Sequence, residues 1–467
     1  MKNLLLIISA LTIVHFSAWT QVQKATPLSA LEQERIEAKA DALLDEYIAL
    51  KDFVGVSAGI FYQDRVIWTG GAGYRDLKNK QAATHEMRHR IASITKPMTA
   101  IAIMQLVEKG QLDLDVPIQT YFKDYPRSDK GELTLRHLLQ HVGGVPYYKN
   151  RKEGFPSMHF NSLEEAVALF KDRPLLHQPG TAYLYTTYGY TLLGAILEKV
   201  TGQSYADYMS ENIWTPAGMK NTHLEIFGQS YPNQAQLYKK TKKGTFTADK
   251  QTDLSLKYPG GGLLSTVDDL LHFGQAVLDH QLITEESLEQ MRIPAEVEWK
   301  GTPYGMGWYV VDDPVYGRIV RHGGSQSGTS TYLSIFLDQR FVVAVLANNI
   351  DGNVYNLHRE LYEMTLDSNK RMQPLRKIID LPEEALTPYV GQYELRKGQV
   401  LTITRKGNQL MTQVGEYPPI PIYAIAKNKF FYRLFDAQLE FELNDQNQVV
   451  KSTYIQKGEA IVAKKRP

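Results

Sequence analysis

A hydroxyl and a primary amine stand three residues apart in the stretch Arg90-Ile91-Ala92-Ser93-Ile94-Thr95-Lys96-Pro97-Met98-Thr99. On a helix that spacing puts Ser93 and Lys96 on one face. Pro97 fits a first turn, where a missing N–H costs nothing. Met98, Ile101, Ile103, Met104, Leu106 and Val107 then carry an apolar run to a stop at Gly110. A helix apolar nearly all round is a buried one, so its N-terminal end is expected to open into a cleft. Burial there disfavours an ammonium, and a neutral Lys96 amine can take the Ser93 proton as the oxygen attacks a carbonyl. Taken alone, Ser-x-x-Lys also describes a capped helix start with a solvated lysine. The rest of the chain has to separate the two.

The elements that must position this pair are legible around it. The chain has 467 residues, 43% of them hydrophobic, enough for one large domain and a smaller one. A net charge of +1 leaves no electrostatic footprint for nucleic acid or a membrane surface, so small-molecule or peptide substrates are the expected partners. Met1-Lys2-Asn3 followed by Leu4 to Val14 reads as a signal peptide over 1–20, cut between Ala18 and Gln21. With no cysteine there is no lipobox, disulfide or thiol chemistry. The expectation is an exported protein, periplasmic or secreted, with no membrane segment once the signal is removed.

Residues 28–51 repeat Leu31, Ile36, Ala40, Leu43, Leu44 and Ile48 at helical spacing, and Gly55–Tyr62 with Arg65–Gly70 form a hairpin around Gln63-Asp64. Gly70, Gly71 and Gly73 end that hairpin strand and precede no helix, so they read as turn glycines rather than a phosphate loop. Gln111 to Val267 is mostly helix and loop, including Ser162–Lys171, Tyr190–Thr201 and Tyr205–Asn212. Strands return at Gly305–Val311, Arg318–His322, Thr329–Asp338 and Arg340–Asn348, before a helix over Asn353–Leu366. Sheet and helices from both ends thus enclose a helical insertion, with a cleft between the layers. A main domain over 28–366 is followed by a linker at 367–388. Residues 389–467 read as a small antiparallel β-barrel or sandwich with strands at Val400–Thr404, Gln409–Val414, Lys429–Phe435, Gln438–Leu443 and Val449–Gln456.

Three further segments join the Ser93 stretch. They are Leu133 to Pro146 (LTLRHLLQHVGGVP), Gln178 to Tyr190 (QPGTAYLYTTYGY) and Pro259 to Thr266 (PGGGLLST). With them, residues 30–365 resemble the serine β-lactamase and penicillin-binding-protein superfamily. The likeness is to the class C β-lactamase-like branch, which includes D-alanyl-D-alanine carboxypeptidases, D-aminopeptidases and family VIII esterases. The resemblance implies an α+β fold, an antiparallel sheet flanked by helices plus a helical subdomain, and an acyl-enzyme on Ser93 with no cofactor or metal. Tyr185 falls on the tyrosine of the family's Tyr-x-Asn motif, implying a general base or proton shuttle. A phenol needs a depressed pKa to act as that base, and the neighbouring Lys96 charge is expected to supply it; which of the two is the base stays open.

His322-Gly323-Gly324 falls on the third family element. The resemblance implies that His322 supports the proton network or a substrate carboxylate. It also implies that the glycines admit substrate backbone and that the Ser325 N–H joins that of Ser93 as an oxyanion hole. Thr187 stands where the family has asparagine and is too short to offer an amide to an acylamino side chain. His322 replaces a cationic lysine and is mostly neutral near pH 7. Both departures favour an ester or D-peptide substrate over efficient β-lactam hydrolysis.

Other readings are weaker. His137 and His141 are four apart, but Leu138 stands where a zincin has glutamate and there is no third ligand. There is no Gly-x-Ser-x-Gly elbow. Tyr147-Tyr148, Tyr188, Tyr190 and Tyr258 suit either a cleft lining or ordinary packing. The β domain, from Tyr389-Val390-Gly391-Gln392-Tyr393, loosely resembles the lipocalin-like module appended to such hydrolases. The alternative to an enzyme is a catalytically weakened penicillin-binding-like protein that holds cell-wall peptides or another ligand.

Overall fold

The computed structural model describes residues 27–154, 158–241, 244–297, 301–350, 352–372, 378–396, 398–415, 417, 419–432, 437–456 and 459–466. The expected signal peptide lies outside them. An antiparallel seven-stranded sheet runs in the order 81–82, 65–76, 55–62, 341–347, 329–336, 317–326, 309–313. Its centre joins the two ends of the domain: Val56 lies opposite Ala347, and the register holds to Tyr62 opposite Phe341. These central strands are apolar on both faces because both faces are covered. Val56, Ala58, Ile60, Val343 and Val345 face one core, while Phe61, Val342, Ala344 and Leu346 face another.

The first core is closed by two helices, Ala30–Ala49 and Val354–Leu366. The earlier one starts at a Ser29–Glu32 capping box and buries Ile36, Ala40, Leu43, Leu44 and Tyr47. Leu31, expected on that stripe, is exposed in the first turn. The second core holds Thr95–Glu108, whose residues Thr95 to Leu106 are all buried. Thr187–Thr201 and Val267–Leu278 pack in the same core. The helix behind Ser93 is therefore buried, as its all-round apolar sequence requires.

Several strands differ from their sequence reading. Strand 65–76 continues beyond Gly70, so Gly70, Gly71 and Gly73 are not turn residues: they pair with Ala58, Ser57 and Gly55. The reason is close approach. A Cβ on Gly71 would lie 2.6 Å from the Thr84 Cα, and one on Gly73, at φ +77°, would lie 2.2 Å from the Val54 carbonyl oxygen. The expected strand at Gly305 begins only at Tyr309, because Gly305 to Trp308 close a loop through a Gly305 N–H to Trp308 carbonyl bond. The strand through His322 runs longer, Gly317–Gln326, and so carries His322, Gly323, Gly324 and Ser325 together.

The C-terminal strands form a closed eight-stranded barrel, sealed where Tyr393 and Glu394 pair with Lys465 and Lys464. Strands Gly391–Arg396, Ile420–Ala426 and Glu459–Lys465 were not legible in sequence; the second contains Pro421, which argues against a strand. Within 367–388, read as a linker, lie short helices Ser368–Met372 and Glu383–Leu386. The Lys39 ammonium donates to the Lys370 carbonyl (3.0 Å), and Arg371 pairs with Glu32 (2.6 Å), which fastens this segment to the first helix.

Gly73→Ala is expected to destabilise the protein by about 1–3 kcal/mol, since it adds both overlap and a left-handed backbone penalty. Gly110→Ala, at φ +67° but with open space around it, should cost less. Denaturant midpoints at unchanged m-value check the pair; equal losses would contradict the close-approach account.

Candidate active site

Ser93 sits in a 3-10 turn, Ala92–Ile94, that runs directly into the helix Thr95–Glu108. Ala92 has φ +49°, an uncommon conformation for a side chain with Cβ. The surroundings hold it there. Thr331 Oγ1 donates to the Ile91 carbonyl (3.0 Å), Thr329 Oγ1 to the Arg90 carbonyl (2.8 Å) and Thr95 Oγ1 to the Ala92 carbonyl (2.7 Å). Arg90 is buried and forks onto Glu225 through two 2.5 Å bonds, while its Nη1 donates to the Ser327 carbonyl at 2.9 Å. On the sheet side Gly324 lets its strand close in, since a Cβ there would fall 2.4 Å from the Ile91 carbonyl oxygen.

Lys96 Nζ lies 3.1 Å from Ser93 Oγ and donates to the Gly260 carbonyl at 2.7 Å. It is fully buried and sits 4.8 Å from the Tyr185 ring centre. Burial, reinforced by the positive charge of Lys257, holds its pKa well below the ordinary lysine value. The shift favours the neutral amine, whose lone pair is then available to Ser93. Gly260 itself packs against the helix Thr187–Thr201, where a Cβ would lie 2.5 Å from Thr187 Cγ2.

Tyr185 departs from its expected state. Burial raises its pKa well above that of an ordinary phenol, opposed by a hydrogen bond from Ser93. Lys96 does not counter this rise: the groups acting on Tyr185 besides burial and Ser93 are the neighbouring tyrosines, which raise it further. Tyr185 is therefore a neutral phenol. Its ring lies tilted against His141, 4.2 Å between ring centres, and His141 Nδ1 accepts the Thr186 N–H (3.3 Å). His137, the other member of the spaced pair, instead caps its own helix through Thr134.

His322 is buried and also neutral, its pKa lowered to about 3 by burial and then by Lys96. Its Nδ1–H donates to the Gly323 carbonyl (2.6 Å), leaving Nε2 to accept from the Tyr304 hydroxyl (3.1 Å). It stands behind Tyr304, in contact with the aromatic wall, and offers no charge to the cleft. The cleft has a volume of about 560 Å³ and is lined by Ser93, Tyr148, Tyr185, Thr187, Lys257 and Ser325 among others. Lys96, His322, Gly323 and Gly324 lie behind that lining. Tyr147 also faces the cleft, whereas Tyr188 and Tyr190 are buried packing residues.

Lys257 was not singled out by sequence reasoning. It lies three residues before Gly260, donates to the Gly154 carbonyl (2.8 Å) and has its pKa lowered to about 7, mainly by burial. A lone lysine in a loop carries no sequence mark of burial. Tyr304, Glu225 and the ring contacts of His141 were missed for the same reason: each acts through a residue distant along the chain.

The turn brings the Ser93 hydroxyl to a buried amine at the boundary between an antiparallel sheet and a helical layer, an arrangement able to support nucleophilic chemistry. A family model described as Beta-lactamase matches residues 40–363, and one described as a domain of unknown function (DUF3471) matches 375–459. The chain belongs to the β-lactamase and penicillin-binding-protein superfamily. It is 30% identical over 430 residues to the human serine beta-lactamase-like protein LACTB, mitochondrial, covering 72% of this chain and 77% of that one. The octameric penicillin-binding protein homologue from Pyrococcus abyssi aligns with a TM-score of 0.68 and 25% identity, over 91% of this chain and 99% of that one. A D-stereospecific amidohydrolase from Streptomyces sp. shares the fold at TM-score 0.59 and 23% identity, over 73% and 99%.

Removing one partner of the Arg90–Glu225 pair leaves a buried charge uncompensated. Glu225→Ala should therefore destabilise by about 3–5 kcal/mol. A loss below about 1 kcal/mol in denaturant unfolding would show that the pair does not hold the Ser93 turn.

Proposed function

We propose that this protein is an exported serine hydrolase that works through an acyl-enzyme on ester or amide carbonyls. The observation that carries the reading is the 3.1 Å contact between Ser93 Oγ and a buried, neutral Lys96 amine already fixed to the Gly260 carbonyl. Ser93 Oγ attacks the carbonyl while its proton passes to the Lys96 lone pair. The N–H groups of Ser93 and Ser325 receive the developing oxyanion. Tyr185, as a neutral phenol beside both Ser93 and Lys96, relays a proton to the leaving group and regains it from Lys96. Water then attacks the acyl-serine, with Lys96 again the base. His322 acts as a positioning residue through Tyr304.

Esters and D-amino-acid peptides fit better than β-lactams. Thr187 is short and offers no side-chain amide to an acylamino group, and it lines the cleft beside Tyr148. Export rests on the signal-like residues 1–20; among the described residues, no helix is long and apolar enough to cross a membrane. Cell-wall association follows as a proposal from the same family relationship.

Ser93→Ala and Lys96→Met should each lower hydrolysis of a short-chain nitrophenyl ester by at least about a thousandfold, and Tyr185→Phe by less. Retention of activity in Ser93→Ala would overturn the reading. The pH profile of kcat/KM separates the two candidate bases. A depressed Lys96 pKa means the amine is neutral above it, so the rate should fall on the acid side and reach its plateau before the ordinary lysine range, about pH 10, is entered. A continuing rise across that range would assign the base to a Tyr185 phenolate.

A further inference from the structure

Gly260 and Gly261 line the cleft beside Lys96, within the run Pro259-Gly260-Gly261-Gly262. Close packing requires the glycines: a Cβ on Gly260 would lie 2.5 Å from Thr187 Cγ2, and one on Gly262 would lie 2.6 Å from Tyr258 Cδ1. They leave the segment without side chains to hold it and with the widest backbone freedom. Its four carbonyls are held from outside instead. Thr99 Oγ1 donates to Pro259 (2.7 Å), Lys96 Nζ to Gly260 (2.7 Å), Gln326 Nε2 to Gly261 (2.9 Å) and the Glu225 N–H to Gly262 (2.8 Å). Gln326 ends the strand Gly317–Gln326, one position after Ser325, and is buried in the cleft wall. Of these four donors it is the one supplied by the seven-stranded sheet. A carbonyl only accepts, so the NH2 end of the Gln326 amide faces Gly261.

We propose that Gln326 is a positioning residue: by holding the Gly261 carbonyl it fixes the adjoining Gly260 carbonyl, and through it the direction of the Lys96 amine toward Ser93. This rests on the reading of the cleft as a serine-hydrolase site. One side chain thereby ties the strand that carries Ser325 to the peptide that holds the base. The donor has to be neutral. A glutamate of the same shape cannot donate when ionised, and it would place an anion one peptide unit from the Lys96 contact, favouring the ammonium. The groups that face Lys96 from the other elements supply no such anion. Burial and the Lys257 charge both favour the amine. The Tyr185 and Tyr190 rings, centred 4.8 Å and 5.5 Å away, are phenols whose pKa burial raises, and His141 and His322 are kept neutral by burial.

Two variants of the full chain test this. Gln326→Met removes the donor with little change of size, and Gln326→Glu keeps the shape while adding the charge. With a short-chain nitrophenyl ester, Gln326→Met should lose at least about tenfold in kcat while KM stays within about twofold. Gln326→Glu should also lower the plateau of kcat/KM and move its acid limb upward by about one pH unit or more, with the Lys96 ε-carbon NMR signal titrating correspondingly higher. A role confined to stability gives a lower thermal midpoint with native kcat and a native acid limb, and that result overturns the proposal. If Gln326→Met does not fold, Gln326→Glu decides: a native plateau or an unmoved acid limb contradicts the proposal. Failure of the hydrolase reading is seen separately, as absence of Ser93-dependent ester cleavage by the native protein. The Lys96 titration then decides without turnover, and an unchanged titration in Gln326→Glu overturns the proposal.

Discussion

The structure depends on the expulsion of water from around one amine. Lys96 is fully buried, its partners are a serine hydroxyl and a backbone carbonyl, and the nearby charge acting on it is positive. An unpaired ammonium in such a place costs several kcal/mol, so the group resolves the conflict by releasing its proton. That converts an ordinary lysine into a base within hydrogen-bond reach of a nucleophile. Everything that keeps water and carboxylates away from Lys96 is thereby part of the chemistry.

Two layers of support maintain this. The first is steric: Gly324 lets the sheet press against the Ser93 turn, and Gly260 lets its own backbone pack on Thr187 and Tyr190, where no Cβ fits. The second is electrostatic. Arg90, three residues before Ser93, is neutralised by Glu225 and reaches the Ser327 carbonyl, tying the turn to the strand that carries Ser325. A buried ion pair of this kind adds little net stability, but it fixes geometry because either partner alone is costly. The aromatic wall of Tyr185, His141, Tyr190 and Tyr304 completes the exclusion of solvent, and its burial keeps these rings neutral.

Local signals carried most of the fold. The Ser-x-x-Lys spacing, the all-round apolar helix and the terminal sheet strands are properties of short windows, and period-two and period-3.6 patterns report them directly. Gly70, Gly71 and Gly73 misled because a glycine required by tertiary contact looks the same in sequence as one required by a turn. The shift of Lys96 runs in the expected direction, whereas that of Tyr185 runs opposite to expectation for a related reason. The sequence places a lysine beside a tyrosine, and the expectation that a cation would lower the phenol assumed that the cation survives burial. Lys257 and Glu225 were invisible because their significance arises from partners more than a hundred residues distant.

The central claim is the neutrality of Lys96, and it can be measured directly. Protein labelled with isotopic carbon at the lysine ε position gives an NMR signal for Lys96 that is assigned by its loss in Lys96→Arg. The account predicts that this signal shows the chemical shift of a free amine at neutral pH and moves toward the ammonium value only on acidification. An ammonium shift at neutral pH that titrates near about 10.4, the ordinary lysine value, would contradict it.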